Sequence, residues 1–190
     1  MRNKFLKIKN RILVLYEEHK KRIISGVIAV IFLAIAMAAL GVLSDLLILL
    51  FLMLVAVLPT IYKRWIRMGI GIELMLFATV IAGLKYGLIT GAVFGALAII
   101  ISDLMNGLIG EWTLLNSAAM AVGGVVAALT GNEHILITGM ASFIAVEIIR
   151  QVPPMIIGGN REKFMSVFYT AVHLGFNLWL FSTIAPLIGF

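Results

Sequence analysis

Apolar residues along this chain occur in long runs that are separated by short polar breaks. After residue 22 the runs are 23–43, 46–62, 69–84, 87–105, 114–130, 135–152 and 164–188. A helix needs about 20 apolar residues to cross the hydrocarbon core of a bilayer, and these runs reach or approach that length. The pattern predicts an all-α polytopic membrane protein with a bundle of six to seven transmembrane helices. We favour seven, because six would require the run 69–84 to be re-entrant or merged with a neighbour.

Prolines mark the expected ends of two of these runs. Pro59 lies near the end of the second run, and Pro153-Pro154 follows the sixth. Proline lacks a backbone N–H and disfavours a helical conformation in the residue before it. The sequence therefore predicts that the second and sixth helices stop at these positions.

The segment 1–22 differs from the rest of the chain in charge. It holds eight basic and two acidic residues, which account for the whole net charge of +6. Its apolar residues recur at roughly helical spacing, at Phe5, Leu6, Ile8, Ile12, Leu13 and Leu15. This pattern indicates either an amphipathic interfacial helix on an anionic cytoplasmic leaflet or a simple topogenic signal. We divide the chain into this basic segment, 1–22, and a single transmembrane domain, 23–190, whose first run is a retained anchor rather than a cleaved signal.

The positions of lysine and arginine predict the orientation. Basic residues collect before the first run, between the second and third (63–67), and between the sixth and seventh (161–163). With the N-terminus in the cytoplasm, seven alternating crossings put all three groups on the cytoplasmic side and Lys85 outside. The expected location is the plasma membrane.

Composition then narrows the function classes. The chain is 62% hydrophobic and only 13% charged, with no cysteine, whereas soluble domains are about a quarter charged. This excludes an ordinary soluble enzyme, and a nucleic-acid-binding role is not expected. The sequence contains no nucleophile–base pair of recognisable spacing and no phosphate-binding loop, and its histidines, at 19, 134 and 173, fall in different segments. We expect neither an enzyme nor a metal site or cofactor.

A few ionisable and polar residues lie inside the apolar runs, where they are energetically expensive. A charged side chain in hydrocarbon costs about 2.5–3.5 kcal/mol on insertion scales. Glu147 and Arg150 are three residues apart and His173 and Asn177 are four apart, so each pair shares a helix face. Each pair also has a purely structural explanation. Glu147 and Arg150 can neutralise each other, and His173 and Asn177 can form hydrogen bonds between helices. Glu73 has no basic residue after it on its own run before Lys85 and is the strongest candidate for a functional role.

Small residues recur at four-residue intervals in two runs. Gly83, Gly87, Gly91 and Gly95 form one stripe, which is shorter if Gly87 is instead the turn between two runs. Ala34 and Ala38 repeat the spacing in the first run. Such stripes let helix backbones approach closely. Packing between helices of the same chain is the more common explanation of such a stripe. The more specific alternative is that the stripe is a docking face for another protein.

The central third of the chain resembles the substrate-binding S components of energy-coupling factor (ECF) transporters. The strings that carry the resemblance are GIEL at 71–74, GLKYGLITGAVFG at 83–95, SDL at 102–104, EWT at 111–113 with Asn116, and GG at 123–124. In that family a helix with a polar residue is followed by a Gly-x-x-x-Gly-x-x-x-Gly run. The Ala34-x-x-x-Ala38 pair is similar to the family's small-residue motif in the first helix.

The resemblance implies a vitamin or micronutrient binder that docks, through Ala34 and Ala38, on a transmembrane coupling subunit with two cytoplasmic ATPases. It implies a closed substrate cavity on the outer side. The candidate binding residues are Glu73, Trp112, Asn116, Glu147, Arg150, His173 and Asn177. The family core has six helices, so an alignment of 69–105 with its second and third helices would make the run with Ala34 and Ala38 an additional helix.

An alternative comes from the segment 102–107. SDLMNG also resembles the Asp-Leu-x-x-Gly element of the rod-shape-determining membrane scaffold family MreD. On this interpretation the protein binds other membrane proteins during envelope assembly, has no small-molecule substrate, and uses its intramembrane charges for structure only.

Overall fold

The computed structural model describes residues 45–66, 70–131, 134–157 and 159–189. The basic segment 1–22, the first apolar run and the expected docking residues Ala34 and Ala38 lie outside these ranges. The chain divides into two compact units, Met1–Ile48 and Leu49–Phe190. The second unit contains the helical bundle and all of the candidate binding residues.

All regular structure in the described residues is helical. We number the helices α1 (Asp45–Val57), α2 (Met75–Tyr86), α3 (Leu88–Asn106), α4 (Glu111–Thr130), α5 (Ile135–Ile157) and α6 (Asn160–Trp179). A 3₁₀ turn at Leu58–Tyr62 and a helical turn at Lys63–Ile66 extend α1, and a π-helical stretch at Leu180–Ile184 and a last turn at Ala185–Leu187 extend α6. Five of these helices, all except α2, are long and apolar enough to cross a membrane. This is the character of a membrane-embedded protein.

Helix α2 is short and lies at the centre of the unit. Its first nine residues, Met75 to Gly83, are all buried. A helix that is apolar on every side is an interior helix, and 12 residues reach only about 18 Å, against about 30 Å for a bilayer core. The run 69–84, the shortest of the predicted runs, is therefore only partly helical: residues 70–74 are not helical, and the helix begins at Met75.

The expected glycine stripe is divided by the turn between α2 and α3. Gly87 ends α2 with a φ of 86°, and a Cβ there would meet nothing within 4 Å. Because it supplies the turn, Gly87 takes no part in the helix crossing that the four-residue spacing predicted. The remaining three glycines do lie at close contacts. A Cβ on Gly83 would be 2.5 Å from the carbonyl oxygen of Gly124, and one on Gly95 would be 2.5 Å from that of Met120.

The closest approach joins α3 to α4. A Cβ on Gly124 would lie 2.3 Å from the backbone C and O of Gly91. Distances below 3 Å from backbone atoms leave no room for any side chain, so Gly91 and Gly124 set how closely these helices pack. Internal packing is thus sufficient to explain Gly83, Gly91 and Gly95.

The prolines at the two predicted helix ends have different effects from those expected. At Pro59 the α-helical hydrogen bonding of α1 gives way to a 3₁₀ turn but the helical path continues to Ile66. Helix α5 runs through Pro153 to Ile157 and does not stop at residue 152. The φ of proline, about −65°, lies in the helical range, and Pro153 and Pro154 lie within α5.

The SDLMNG segment forms the end of α3 and its connection to α4. Gly107 has a left-handed φ of 67° and ends α3. The Thr113 hydroxyl donates to Asp103 Oδ2 at 2.7 Å and accepts the Gly110 N–H at 3.1 Å. The segment also ties α3 to the end of α1, through the buried hydroxyls of Thr60 and Ser102, 2.8 Å apart. These contacts give the motif a structural role in the turn.

Candidate functional site

A buried hydrogen bond between two ionisable side chains joins the middle of α5 to the middle of α6. His173 is fully buried, and its Nδ1 lies 2.9 Å from Glu147 Oε1. The other carboxylate oxygen of Glu147 accepts hydrogen bonds from Gln151 Nε2 at 2.8 Å and from the Thr170 hydroxyl at 3.0 Å. Glu147 therefore has partners on both oxygens, as a carboxylate in an apolar bundle requires.

Arg150 extends this pair toward α4. Its Nε donates to Asn116 Oδ1 at 3.1 Å, and its Nη1 lies 3.7 Å from Glu147 Oε1. The guanidinium also lies over the ring of Tyr169, 4.9 Å from the centroid. The structure thus places the predicted residues Asn116, Glu147, Arg150 and His173 in one group.

A second buried ion pair lies just before α2. Glu73 is 1% exposed, and its Oε1 lies 2.9 Å from the Lys63 ammonium at the end of α1. The Tyr62 hydroxyl donates to the same oxygen at 3.4 Å and accepts the backbone N–H of Ile70 at 3.2 Å. The partner of Glu73 therefore comes from the preceding helix, whereas Lys63 was expected only to help set the orientation of the chain.

Gly71 brings the two ion pairs together. Its φ is 84°, and a Cβ there would be 2.8 Å from the backbone N of His173 and from the carbonyl oxygen of Tyr169. Only glycine combines this conformation with such contact. Glu73, two residues later, therefore follows directly on the segment that packs against α6 between Tyr169 and His173.

We call this group the polar centre and define it by Lys63, Glu73, Asn116, Glu147, Arg150, His173 and Asn177. Asn177 is fully buried one turn after His173, and its Nδ2 donates to the His173 carbonyl oxygen at 2.9 Å. The polar centre lies toward one end of the bundle. It extends from the end that carries Arg64 and Lys163 to the middle of α5 and α6.

Several polar atoms in the polar centre have no hydrogen-bond partner among the described residues. They are Glu73 Oε2, Arg150 Nη1, His173 Nε2 and Asn177 Oδ1. A buried polar atom left without a hydrogen bond costs about 1–3 kcal/mol, and more when it is charged. Among the described residues, no group of three or more histidines and carboxylates is arranged to hold a metal ion.

Trp112 is the one predicted binding residue that lies apart from this group. It is 51% exposed, in the first turn of α4. Its neighbour Thr113 faces inward to Asp103, so Trp112, one position earlier on the helix, faces outward. A tryptophan at a helix end is typical of a membrane–water interface.

Sequence reasoning missed part of the polar centre and its surroundings. Lys63, Tyr62, Gln151, Thr170 and Tyr169 contact the predicted residues, and Ser166 hydrogen-bonds to Gln151. A signal for three of them was present, because Gln151 is four residues after Glu147, and Ser166, Thr170, His173 and Asn177 follow one another at helical spacing.

Comparisons with protein-family models, with curated proteins and with solved structures give no match for this chain.

Proposed function

We propose that the protein is a substrate-binding membrane subunit of the S-component type. It captures a small polar molecule inside its helical bundle, docks on a transmembrane coupling subunit and is driven by cytoplasmic ATPases. The observation that supports this is the polar centre, in which three buried side chains and the part-buried Arg150 each have a polar atom without a hydrogen-bond partner in the described residues. Ionisable residues inside a membrane bundle usually pair with one another and mark a binding site or a pathway.

The proposed orientation puts the N-terminus in the cytoplasm of a cell with the protein in its plasma membrane. By the positive-inside rule, the bundle end with Arg64 and Lys163 then faces the cytoplasm. The polar centre would reach from that end to the middle of the membrane, the depth at which many transporters bind substrate. This differs from the outer-side cavity that the family resemblance implied. A substrate from outside would therefore have to pass between the helices around α2.

Binding is tested by identifying the small molecules that co-purify with the protein. The chain is purified in detergent, its small molecules are extracted, and mass spectrometry quantifies them per protein. Arg150→Met is compared with Arg64→Met, which removes an exposed arginine at the same end of the bundle. We expect a stoichiometric metabolite in the wild type and in Arg64→Met, and its loss in Arg150→Met. A wild-type protein without any bound metabolite would contradict the proposal.

Docking has a separate test. Ala34 and Ala38 lie outside the described residues, so their role is a proposal from the sequence. Ala34→Trp and Ala38→Trp should prevent recovery of the protein with a coupling subunit in a pull-down but leave the bound metabolite in place. Undiminished recovery would refute the docking role.

One observation favours the scaffold function instead. The two carboxylates of the polar centre each have a cation nearby, Lys63 at 2.9 Å from Glu73 and Arg150 at 3.7 Å from Glu147. Such pairs can be purely structural. Stable co-purification of envelope-assembly proteins together with the absence of a metabolite would support this second function.

A further inference from the structure

The charges of the polar centre balance. Lys63 and Arg150 are its cations, and Glu73 and Glu147 are its carboxylates. His173 Nδ1 lies 2.9 Å from Glu147 Oε1, beside these four charged side chains. The two cations and the two carboxylates sum to zero.

The unpartnered atoms are of both hydrogen-bonding kinds. Arg150 Nη1 is a donor, whereas Glu73 Oε2 and Asn177 Oδ1 are acceptors. A molecule that satisfies them must therefore offer at least one acceptor, to Arg150, and N–H or O–H donors to the others.

The low polarity around these atoms restricts the charge of such a molecule. A buried ion needs a counter-charge, and the cations and carboxylates of the polar centre already neutralise one another. An ion bound there would leave one unit of charge unpaired inside the bundle. A neutral molecule or a zwitterion adds no net charge, and a zwitterion can align its carboxylate with Arg150 and its ammonium with Glu73.

We infer that the ligand of the polar centre is a small polar molecule of zero net charge, with one acceptor placed for Arg150 and donors placed for Glu73 and Asn177. This inference rests on the proposed binding function and specifies its substrate class. It assigns Glu73 and Arg150 as the residues that determine charge selectivity.

The experiment uses matched probes that differ in net charge. Thermal unfolding of the detergent-solubilised chain is followed with glutamine against glutamate, with each common nucleoside against its monophosphate, and with putrescine as a cation. The charge of any metabolite that co-purifies with the wild type is determined by mass spectrometry as a second measurement. We expect an uncharged probe or metabolite to bind at least tenfold more tightly than its charged analogue.

Variants then change the charge of the polar centre. Glu73→Gln makes it positive by one unit and should shift the preference at least tenfold toward the anionic member of a pair. The double variant Lys63→Met/Glu73→Gln removes one charge of each sign and should restore the preference for the uncharged member. If Glu73→Gln does not fold, the double variant and the charge of the co-purified metabolite still decide the matter.

The outcomes separate this inference from the function on which it rests. A charged ligand that binds the wild type and is lost in Arg150→Met would overturn the zero-charge inference and leave the binding function intact. Absence of any bound metabolite and of any thermal shift would overturn the binding function and this inference with it.

Discussion

Glu147 on α5 and His173 on α6 are in direct contact, with Oε1 and Nδ1 separated by 2.9 Å at the middle of both helices. The side chains are 7% and 0% exposed. Glu147 also lies near Arg150 and accepts hydrogen bonds from Gln151 and Thr170. One carboxylate therefore connects five side chains of two helices, including its own.

Loss of this carboxylate is expected to be among the most destabilising single changes in the bundle. Glu147→Ala leaves Arg150 buried without its nearest counter-charge, and breaking a buried ion pair costs about 3–5 kcal/mol. The measurement is the free energy of unfolding in detergent. Glu111→Ala, which removes an exposed carboxylate at the start of α4, should change it by about 0.5 kcal/mol or less. If the two substitutions lower the free energy of unfolding equally, the contacts of Glu147 do not stabilise the bundle more than an exposed carboxylate does.

Lys63 and Glu73 are expected to behave as a coupled pair. Lys63→Met leaves the Glu73 carboxylate buried without its closest cation and should lower the free energy of unfolding by about 3 kcal/mol. Adding Glu73→Gln to that variant removes the unpaired charge and should recover most of the loss. The check is a double-mutant cycle of unfolding free energies. If the losses in unfolding free energy of the two single variants add up to the loss of the double variant, Lys63 and Glu73 do not interact directly.

The crossing of α3 and α4 should tolerate no side chain at Gly124. A Cβ there would be 2.3 Å from the backbone of Gly91, and a backbone cannot rotate away as a side chain can. We expect Gly124→Ala to cost about 1–3 kcal/mol or more, the usual range for overpacking. The matched control is Gly175→Ala in α6, where a Cβ would meet nothing within 4 Å. Thermal unfolding of both variants tests this, and similar stability would mean that the crossing adapts easily.

The turn between α3 and α4 depends on the Thr113 hydroxyl. Thr113→Val removes the hydrogen bonds to Asp103 and Gly110 and should cost about 2 kcal/mol, since bonds to charged groups contribute about 1.5–3 kcal/mol. Thr113→Ser keeps the hydroxyl and should restore most of the stability. The control is Thr130→Val, which removes an exposed hydroxyl bonded only within its own helix turn. If serine gives no recovery, shape and not hydrogen bonding sets the preference at residue 113.

The positions of the helices followed largely from periodicity and length. Of the six runs that fall in the described residues, five correspond to helices of membrane length within a few residues at each end. The exception is 69–84, because its apolar composition did not distinguish a helix that spans a bilayer from one that is buried among other helices. Gly71, with its left-handed backbone, keeps residues 70–74 out of the helix.

The candidate residues could be named from the sequence, but their partners could not. Membrane energetics singles out any charge in an apolar run, and this was sufficient to find Glu73, Glu147, Arg150, His173 and Asn177. Lys63 looked like an orientation signal at the end of a run, because charge and position are all that a sequence reports. Its contact with Glu73 exists because the chain turns back at Gly71 and inserts α2 into the bundle.

The sequence by itself determined that the chain is helical and apolar, and which of its residues are costly in a membrane. These are properties of single residues and of their spacing along one helix. Only the tertiary structure decided that Gly87 belongs to a turn, that Trp112 faces outward, and that two separate ion pairs form one polar centre of balanced charge. Those relations depend on distances between helices, which are set by backbone contacts such as that of Gly91 with Gly124 and are not encoded in any local pattern.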